Sequence, residues 1–306
     1  MRRRIDILLL AVLVVVSGCG QRKGSETAKP FPYAAVPTAL TDRAEQMKYF
    51  AHNYWKPFLS GHEGVDSLET VQALSNYAAL LQQIPYADAL DCMAALHKGI
   101  EEVQAAEGGE FYGNMTALVS KYFYDPNSPV RDEDLYLPFL SLMAESEYTP
   151  DEERPGLRAS AALCSLNGRG TRAADFTFRT ADGRNHRLWK VEAQHTILFF
   201  TNPGCASCRD IIEALCSDAY VSDLVNSGRI AVVNVYVDED LSAWKEHLDS
   251  YPTIWINGYD PELIIREDRI YSLRAIPSIY LLDEDKNVLL KDTPLERLMM
   301  YIKQRI

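Results

Sequence analysis

The pattern of hydrophobic and polar positions divides the chain into two parts. Over residues 38–165, apolar residues recur every three or four positions, the period of a helix with one buried face. Breaks at Gly61, Pro85, Gly108-Gly109 and Asp125-Pro126-Asn127 separate about five such stretches. The sequence therefore predicts an all-α domain over 38–165. Its apolar stripes are Ala44-Met47-Ala51-Tyr54, Val71-Leu74-Ala78-Leu81, Met93-Leu96-Ile100-Val103, Phe111-Met115-Leu118-Tyr122 and Leu135-Phe139-Leu142.

The second part, over 166–306, has a different period. Short β-like runs alternate with helical stretches, an order typical of an α/β domain with parallel strands at its centre. The predicted strands are Asp175–Phe178, His195–Thr201, Ile230–Val237, Ser278–Leu282 and Val288–Leu290. The predicted helices lie around 206–226, 241–250 and 294–306.

The first residues resemble a targeting segment. Three arginines, Arg2 to Arg4, precede an apolar run from Ile7 to Val16, far shorter than the roughly 20 residues that cross a bilayer as a helix. Val16-Ser17-Gly18-Cys19 then resembles a bacterial lipobox. We expect a lipoprotein signal peptide over 1–18, a lipid on Cys19 and a tether over 19–37. An ordinary cleaved signal or a short anchor is the alternative.

The net charge and the targeting segment limit the possible partners and locations of the protein. The net charge of −12 argues against a nucleic-acid partner, which would require a basic face. The targeting segment predicts a location in the bacterial cell envelope, facing the periplasm and attached to the inner or outer membrane through Cys19. No cofactor is predicted.

The cysteines provide the candidate chemistry. Cys205 and Cys208 form the one close pair, and outside the cytoplasm such a pair is more often redox-active than zinc-binding. Zinc would require two further ligands, but the sequence has no second C-x-x-C and no H-x₃₋₅-H, so no metal site is predicted. Whether Cys92 and Cys164 pair stays open, and Cys216 is expected to pack in the core.

The pair follows a predicted strand directly. His195–Thr201 ends, Asn202-Pro203-Gly204 turns the chain, and a helix begins at the cysteines. Unpaired N–H groups at a helix start favour an anion, which raises the thiolate fraction of Cys205. Cys208, one turn further on, could then displace a mixed disulfide.

Four segments resemble, in order, a thioredoxin-like fold. The similarity is to the extracytoplasmic thiol–disulfide oxidoreductases of the cytochrome-maturation type, and it implies Cys205 as nucleophile and Cys208 as resolving thiol. It also implies Ile276 and a cis Pro277 as the edge that binds substrate. The segments are Ala174–Phe178 with Ala181–Arg184, Ile197–Phe200, Val233–Asp238 and Arg274–Asp283.

The motif departs from that family at three places. Gly204 replaces a common aromatic residue, and Ala206-Ser207 contains no proline. Phe199 stands where thioredoxins bury an acid. The helical part resembles an uncharacterised domain that precedes thioredoxin-like domains in envelope lipoproteins of gut-type bacteria. This resemblance is carried by Phe31-Pro32-Tyr33, Val36-Pro37 and Tyr49–Trp55.

Two functions follow from the sequence. The first is an envelope-anchored oxidoreductase that acts on protein thiols and disulfides and exchanges electrons with an unknown redox partner. The second is a non-catalytic binding or scaffold lipoprotein in which Cys205 and Cys208 form an inert disulfide. A peroxiredoxin is set aside, because position 202 is Asn where that chemistry requires Thr.

Overall fold

The computed structural model describes residues 29–306. The predicted signal peptide over 1–18, Cys19 and the first part of the predicted tether lie outside the described residues. Among the helices in the described range, none has the length and apolar character needed to cross a membrane.

The helical domain contains two helices more than the five expected. The single turn α2 is shorter than one repeat of an apolar stripe, and α7 offers mainly alanine and cysteine to its core, so neither produces a strong pattern. Asp42, Asp66 and Asp132 cap three of the helices by accepting hydrogen bonds from backbone N–H groups. The helices are α1 (Arg43–Asn53), α2 (Lys56–Leu59), α3 (Ser67–Leu81), α4 (Tyr86–Glu107), α5 (Phe111–Phe123), α6 (Glu133–Glu145) and α7 (Arg154–Cys164).

The described end of the predicted tether packs on this domain. Lys29 forms a β-bridge with Val65. Phe31 is buried and stacks on Phe58, with 5.3 Å between the ring centroids. Burial of one phenylalanine removes enough apolar surface from water to contribute about 2 kcal/mol. Part of the segment expected to be a tether is therefore packed on the helical domain.

The second part folds around one sheet of seven strands, β1 (Thr177–Thr180), β2 (Asn185–Arg187), β3 (His195–Thr201), β4 (Ile230–Tyr236), β5 (Ile256–Tyr259), β6 (Ser278–Leu282) and β7 (Val288–Leu290). The spatial order is β2-β1-β5-β4-β3-β6-β7, and β3, β4 and β5 run parallel. The strands β1, β6 and β7 pair antiparallel. The helices are α8 (Ala206–Ser217), α9 (Ala219–Asn226), α10 (Leu241–Glu246), α11 (Ile264–Glu267) and α12 (Leu295–Arg305).

This arrangement confirms the predicted fold class, an all-α domain followed by an α/β thioredoxin-like domain. Several details differ from the expectation, including the unpredicted short strand β2 and short helix α11. The predicted helix over 206–226 is two helices, because Asp218 accepts hydrogen bonds from Tyr220 N and Val221 N and so begins a new one. The strand β5 escaped prediction, because Asn257 and Gly258 interrupt its apolar pattern.

Gly258 gives a first testable prediction. A Cβ atom there would lie 2.7 Å from Phe178 Cδ2 and 3.1 Å from the Arg179 carbonyl oxygen. We expect Gly258→Ala to destabilise the protein by about 2 kcal/mol in urea unfolding, because backbone cannot yield as a side-chain tip can. Gly113→Ala in α5 is the matched control, where nothing lies within 4 Å. It should stabilise by about 0.5–1 kcal/mol. Equal stability of Gly258→Ala and the parent would contradict the argument.

Candidate redox site

The strand β3 delivers the dithiol to the start of a helix. Its seven residues are buried apart from His195, and the chain then turns through Asn202-Pro203-Gly204. Gly204 has φ 75°, a conformation that a residue with a side chain adopts only with strain. The turn therefore explains glycine where relatives carry an aromatic residue.

Cys205 is the N-cap of α8. Its sulfur accepts a hydrogen bond from Cys208 N at 3.1 Å. This N–H is one of those that the first turn of a helix leaves unpaired, and the dipole of α8 adds to its effect. Negative charge on the sulfur of Cys205 is thus stabilised.

Cys205 and Cys208 are joined in a disulfide, and their side chains differ in exposure to solvent. The Cα atoms lie 5.2 Å apart. Cys205 is half-buried, whereas Cys208 is 2% exposed. A second protein can therefore reach the sulfur of Cys205 but not that of Cys208.

The proline loop lies at the same end of the sheet. In the antiparallel register of β3 and β6, Phe200 is opposite Ser278, so Pro277 lies where β3 gives way to the turn. The Ile276–Pro277 peptide bond is cis, the form that the resemblance implies. Ile276 and Cys205 also pack against one apolar cluster that contains Cys208. Of the predicted site residues, Cys205, Cys208, Ile276 and Pro277 thus come together.

The environment beneath Cys208 is apolar. Phe199, buried where thioredoxins carry an acid, belongs to the same cluster and contacts Trp255 edge to face at 6.3 Å between centroids. The sheet nearby contains a chain of neutral polar groups. Thr201 Oγ1 donates to Asn234 Oδ1 at 2.6 Å, and Asn234 Nδ2 donates to Asn257 Oδ1 at 3.0 Å. Sequence reasoning missed these groups, although Asn234 interrupts an otherwise apolar strand.

The turn before Cys205 is held by side chains that are distant in the sequence. Asn202 Nδ2 donates to Asp238 Oδ2 at 2.6 Å, and Arg266 pairs with the other oxygen of Asp238 at 3.0 Å. Only their spatial proximity links these residues, which are 36 and 64 positions from Asn202. The sequence signal that could have found them is the acidic run that begins at Asp238.

The other thiols of the described chain are less suited to attack. Burial raises the pKa of Cys92 and of Cys164 to about 12, and the two cysteines are free and not paired. Cys216 is exposed, so the prediction that it packs in the core is wrong. Leu215, seven residues after Cys208, takes the inward position, and Cys216 lies beyond it. Partial burial of its sulfur still raises the pKa of Cys216.

A cavity of about 500 Å³ lies beside the proline loop. Its wall includes the turn residue Asn202, the loop residues Arg274 and Ile276, Arg266, and Leu163 from the helical domain. Both domains therefore line this cavity, which reaches Asn202 in the turn before Cys205. Residues 29–306 contain no group of three His, Cys, Asp or Glu side chains that could hold a metal ion.

Known structures share this architecture. A thioredoxin-like protein from Bacteroides caccae is 32% identical, with a TM-score of 0.77, and the match covers 92% of this chain and 100% of that one. The chain belongs to the thioredoxin-like proteins. Residues 17–167 of this thioredoxin-like protein also match a family described as a domain of unknown function, DUF5106. No curated protein matches the chain.

Two further solved structures match its second part. The C-terminal domain of an uncharacterized protein from Bacteroides fragilis is 39% identical over 45% of this chain and 99% of that one, with a TM-score of 0.44. The thioredoxin domain of a thiol-disulfide oxidoreductase from Bacteroides vulgatus is 16% identical over 44% of this chain and 98% of that one, with a TM-score of 0.39.

Proposed function

We propose that this thioredoxin-like protein is a thiol–disulfide oxidoreductase of the bacterial envelope that acts on protein substrates. The observation that carries the proposal is the difference between its two sulfurs. Cys205 is reachable and accepts the Cys208 N–H bond, whereas Cys208 is buried one turn further along the same helix. This arrangement gives the two thiols separate roles, attack and resolution.

The exchange proceeds in two displacements. In the reduced protein, the thiolate of Cys205 attacks one sulfur of a substrate disulfide, forms a mixed disulfide and releases the other substrate sulfur as a thiolate. Cys208, after losing its proton, attacks Cys205 Sγ and releases the second substrate thiolate. Overall, the substrate disulfide gains two electrons and two protons, and the Cys205–Cys208 pair is oxidised to a disulfide. A partner dithiol then reduces the pair by the reverse steps.

The substrate strand is proposed to bind along Ile276 and Pro277. Proline has no N–H, but the neighbouring backbone offers an edge with which an extended peptide can pair. The register of β3 and β6 puts this edge next to the turn that carries Cys205. Such pairing would bring a substrate cysteine to the sulfur of Cys205.

The activity test compares two variants with the parent protein. Cys205→Ala should reduce the rate of insulin disulfide reduction to the uncatalysed level, because no other thiol within residues 29–306 occupies a helix N-cap. Cys216→Ser is the matched control, since it removes an exposed cysteine from the same helix and should leave the rate unchanged. Full activity of Cys205→Ala would overturn the proposal.

The anchor is tested separately. We propose that Cys19 is lipidated and holds the protein at an envelope membrane. Cys19→Ala should move the protein from the detergent-rich to the aqueous phase in a detergent partition assay, because two or more acyl chains are needed for stable attachment. Cys216→Ser should partition like the parent, and an unchanged partition of Cys19→Ala would contradict the proposed anchor.

One observation favours a second candidate, a scaffold with an inert disulfide. Phe199 leaves no acid on the strand at the position that accepts the resolving thiol's proton in thioredoxins. The reduction potential of the pair separates the candidates. A value below about −300 mV, typical of structural disulfides, with no insulin reduction would favour the scaffold.

A further inference from the structure

The loop that carries the cis proline is held by the helical domain. Arg274, three residues before Pro277, forms an ion pair through Nε with Glu133, the first residue of α6. The Glu133 side chain is fully buried, and that of Arg274 is 13% exposed. Lys291 binds the second oxygen of Glu133 at 3.0 Å. A buried carboxylate of one domain is thus paired with two cations of the other.

The residue after Pro277 is connected to the same network of ion pairs and hydrogen bonds. Asp292 Oδ2 pairs with Arg274 Nη2 at 3.0 Å, and Asp292 Oδ1 accepts a hydrogen bond from Ser278 Oγ at 2.8 Å. Ser278 directly follows Pro277. Arg131, in the helical domain, donates from Nε to the Asp292 carbonyl oxygen at 3.0 Å. Both ends of the Arg274–Ser278 segment are therefore fixed to charges that the helical domain supplies or supports.

The guanidinium of Arg274 is enclosed on a further side. Its Cζ atom lies 4.3 Å from the ring centroid of Tyr124, at the end of α5. Cation–π contact and two ion pairs leave this side chain little freedom. Arg274 and Ile276 also line the 500 Å³ cavity with Leu163 and Asn202, so the position of the loop sets the width of this cavity next to the turn before Cys205.

We infer that the helical domain positions the substrate-binding edge of the redox site through the Glu133–Arg274 pair. This inference rests on the proposed function. Glu133 acts as a positioning residue, since it contacts the loop and not the sulfurs. A strand edge displaced by about 1 Å can reduce turnover of a bound substrate by up to 100-fold. A helical domain that only carried the redox domain would not need a buried contact with this loop.

The main test is the variant Glu133→Gln, which keeps the shape of the side chain and removes its charge. KM for a protein disulfide substrate should rise about tenfold or more, because the edge that binds it is no longer held. The reduction potential of the pair and its rate of reduction by dithiothreitol should stay at parental values, because neither requires the edge.

Arg297→Gln is the matched control. Arg297 of α12 pairs with Asp132 of the helical domain at 2.5 Å, and both side chains are buried like those of Glu133 and Arg274. This substitution breaks an ion pair across the same interface without touching the loop, so KM should stay within about twofold of the parent. An equal rise of KM in both variants, or none in Glu133→Gln, would overturn the inference.

Hydrogen exchange keeps the inference testable if the proposed activity fails. The amides of residues 273–276 and 278 should exchange faster in Glu133→Gln and at the parental rate in Arg297→Gln, whatever the chemistry of the dithiol. Parental exchange of this segment in Glu133→Gln would refute the positioning role. If Glu133→Gln does not fold, Arg274→Gln replaces it, because Glu133 then keeps Lys291 as a partner.

Discussion

Replacement of Cys208 by serine is expected to arrest the exchange reaction at a covalent complex between Cys205 and its substrate. Cys205 keeps its half-buried but reachable side chain and its place at the N-cap of α8, so attack on a substrate disulfide proceeds. A serine hydroxyl cannot displace the substrate thiolate, because it does not ionise near neutral pH and is a weak nucleophile there. The mixed disulfide should therefore accumulate, and turnover should fall at least about 100-fold.

The complex is measured on non-reducing gels after acid trapping. The variant is best made together with Cys216→Ser, because Cys216 is exposed on the same helix and would otherwise form disulfides of its own. The Cys205→Ser, Cys208→Ser, Cys216→Ser triple variant is the control and should give no complex. Equal amounts of complex in the two proteins would remove Cys205 from the mechanism, and continued turnover of the Cys208→Ser variant would remove Cys208.

Asp134→Asn is expected to stabilise the protein at neutral pH and to leave it unchanged near pH 4. Burial, and then the neighbouring Asp132, raise the pKa of Asp134 to about 6. The folded state therefore binds a proton more tightly than the unfolded state does. The stability that this proton provides is present below about pH 4 and is lost as the pH rises to about 6.

The size of the effect follows from the shift. A rise of the Asp134 pKa from 3.8 to about 6 corresponds to about 3 kcal/mol. The ionised Asp134 destabilises the folded state by this amount above pH 6, and replacement by asparagine removes the destabilisation. Asparagine can still accept the hydrogen bond from Arg169 N, which Asp134 Oδ2 accepts at 3.2 Å. Urea unfolding of both proteins from pH 4 to pH 8 measures the difference at each pH.

Asp132 supplies a control of opposite sign. Burial acts to raise the pKa of Asp132, but Arg297 and Arg169 outweigh it, so its pKa lies below the usual value. Its charge therefore stabilises the fold above the pKa of an unfolded aspartate and loses this effect as the pH falls. Asp132→Asn should destabilise most at neutral pH. If the stability difference from the parent changed with pH in the same direction in both variants, the opposite pKa shifts of Asp134 and Asp132 would be contradicted.

Much of the fold could be predicted because it depends on local pattern. The stripes at helical spacing and the apolar strands His195–Thr201 and Ile230–Tyr236 bury one or both faces, and burial leaves a period in the sequence. The dithiol could be predicted for the same reason, since strand, turn and helix follow one another within the segment 195–217.

The remaining features depend on contacts between distant residues. Cys216 was expected inside because cysteine is often buried, but the rotation of α8 gives the inward position to Leu215. The Glu133–Arg274 pair joins residues 141 positions apart, and a charged residue at a helix start is commonly a solvated one. The side chains of Glu133 and Arg274 become buried partners only because the two domains dock against each other.

The docking of Lys29 and Phe31 on the helical domain shortens the segment that the proposed lipid anchor on Cys19 would leave between the membrane and that domain. With the lipid on Cys19, as proposed, only nine residues lie between the anchor and Lys29, and the ten Cα–Cα steps span at most about 35 Å. The tether expected from the sequence, 19 residues long, would reach about 65 Å. Under the proposed anchoring, the redox site would therefore reach a shallower layer above the lipid headgroups than the longer tether would permit.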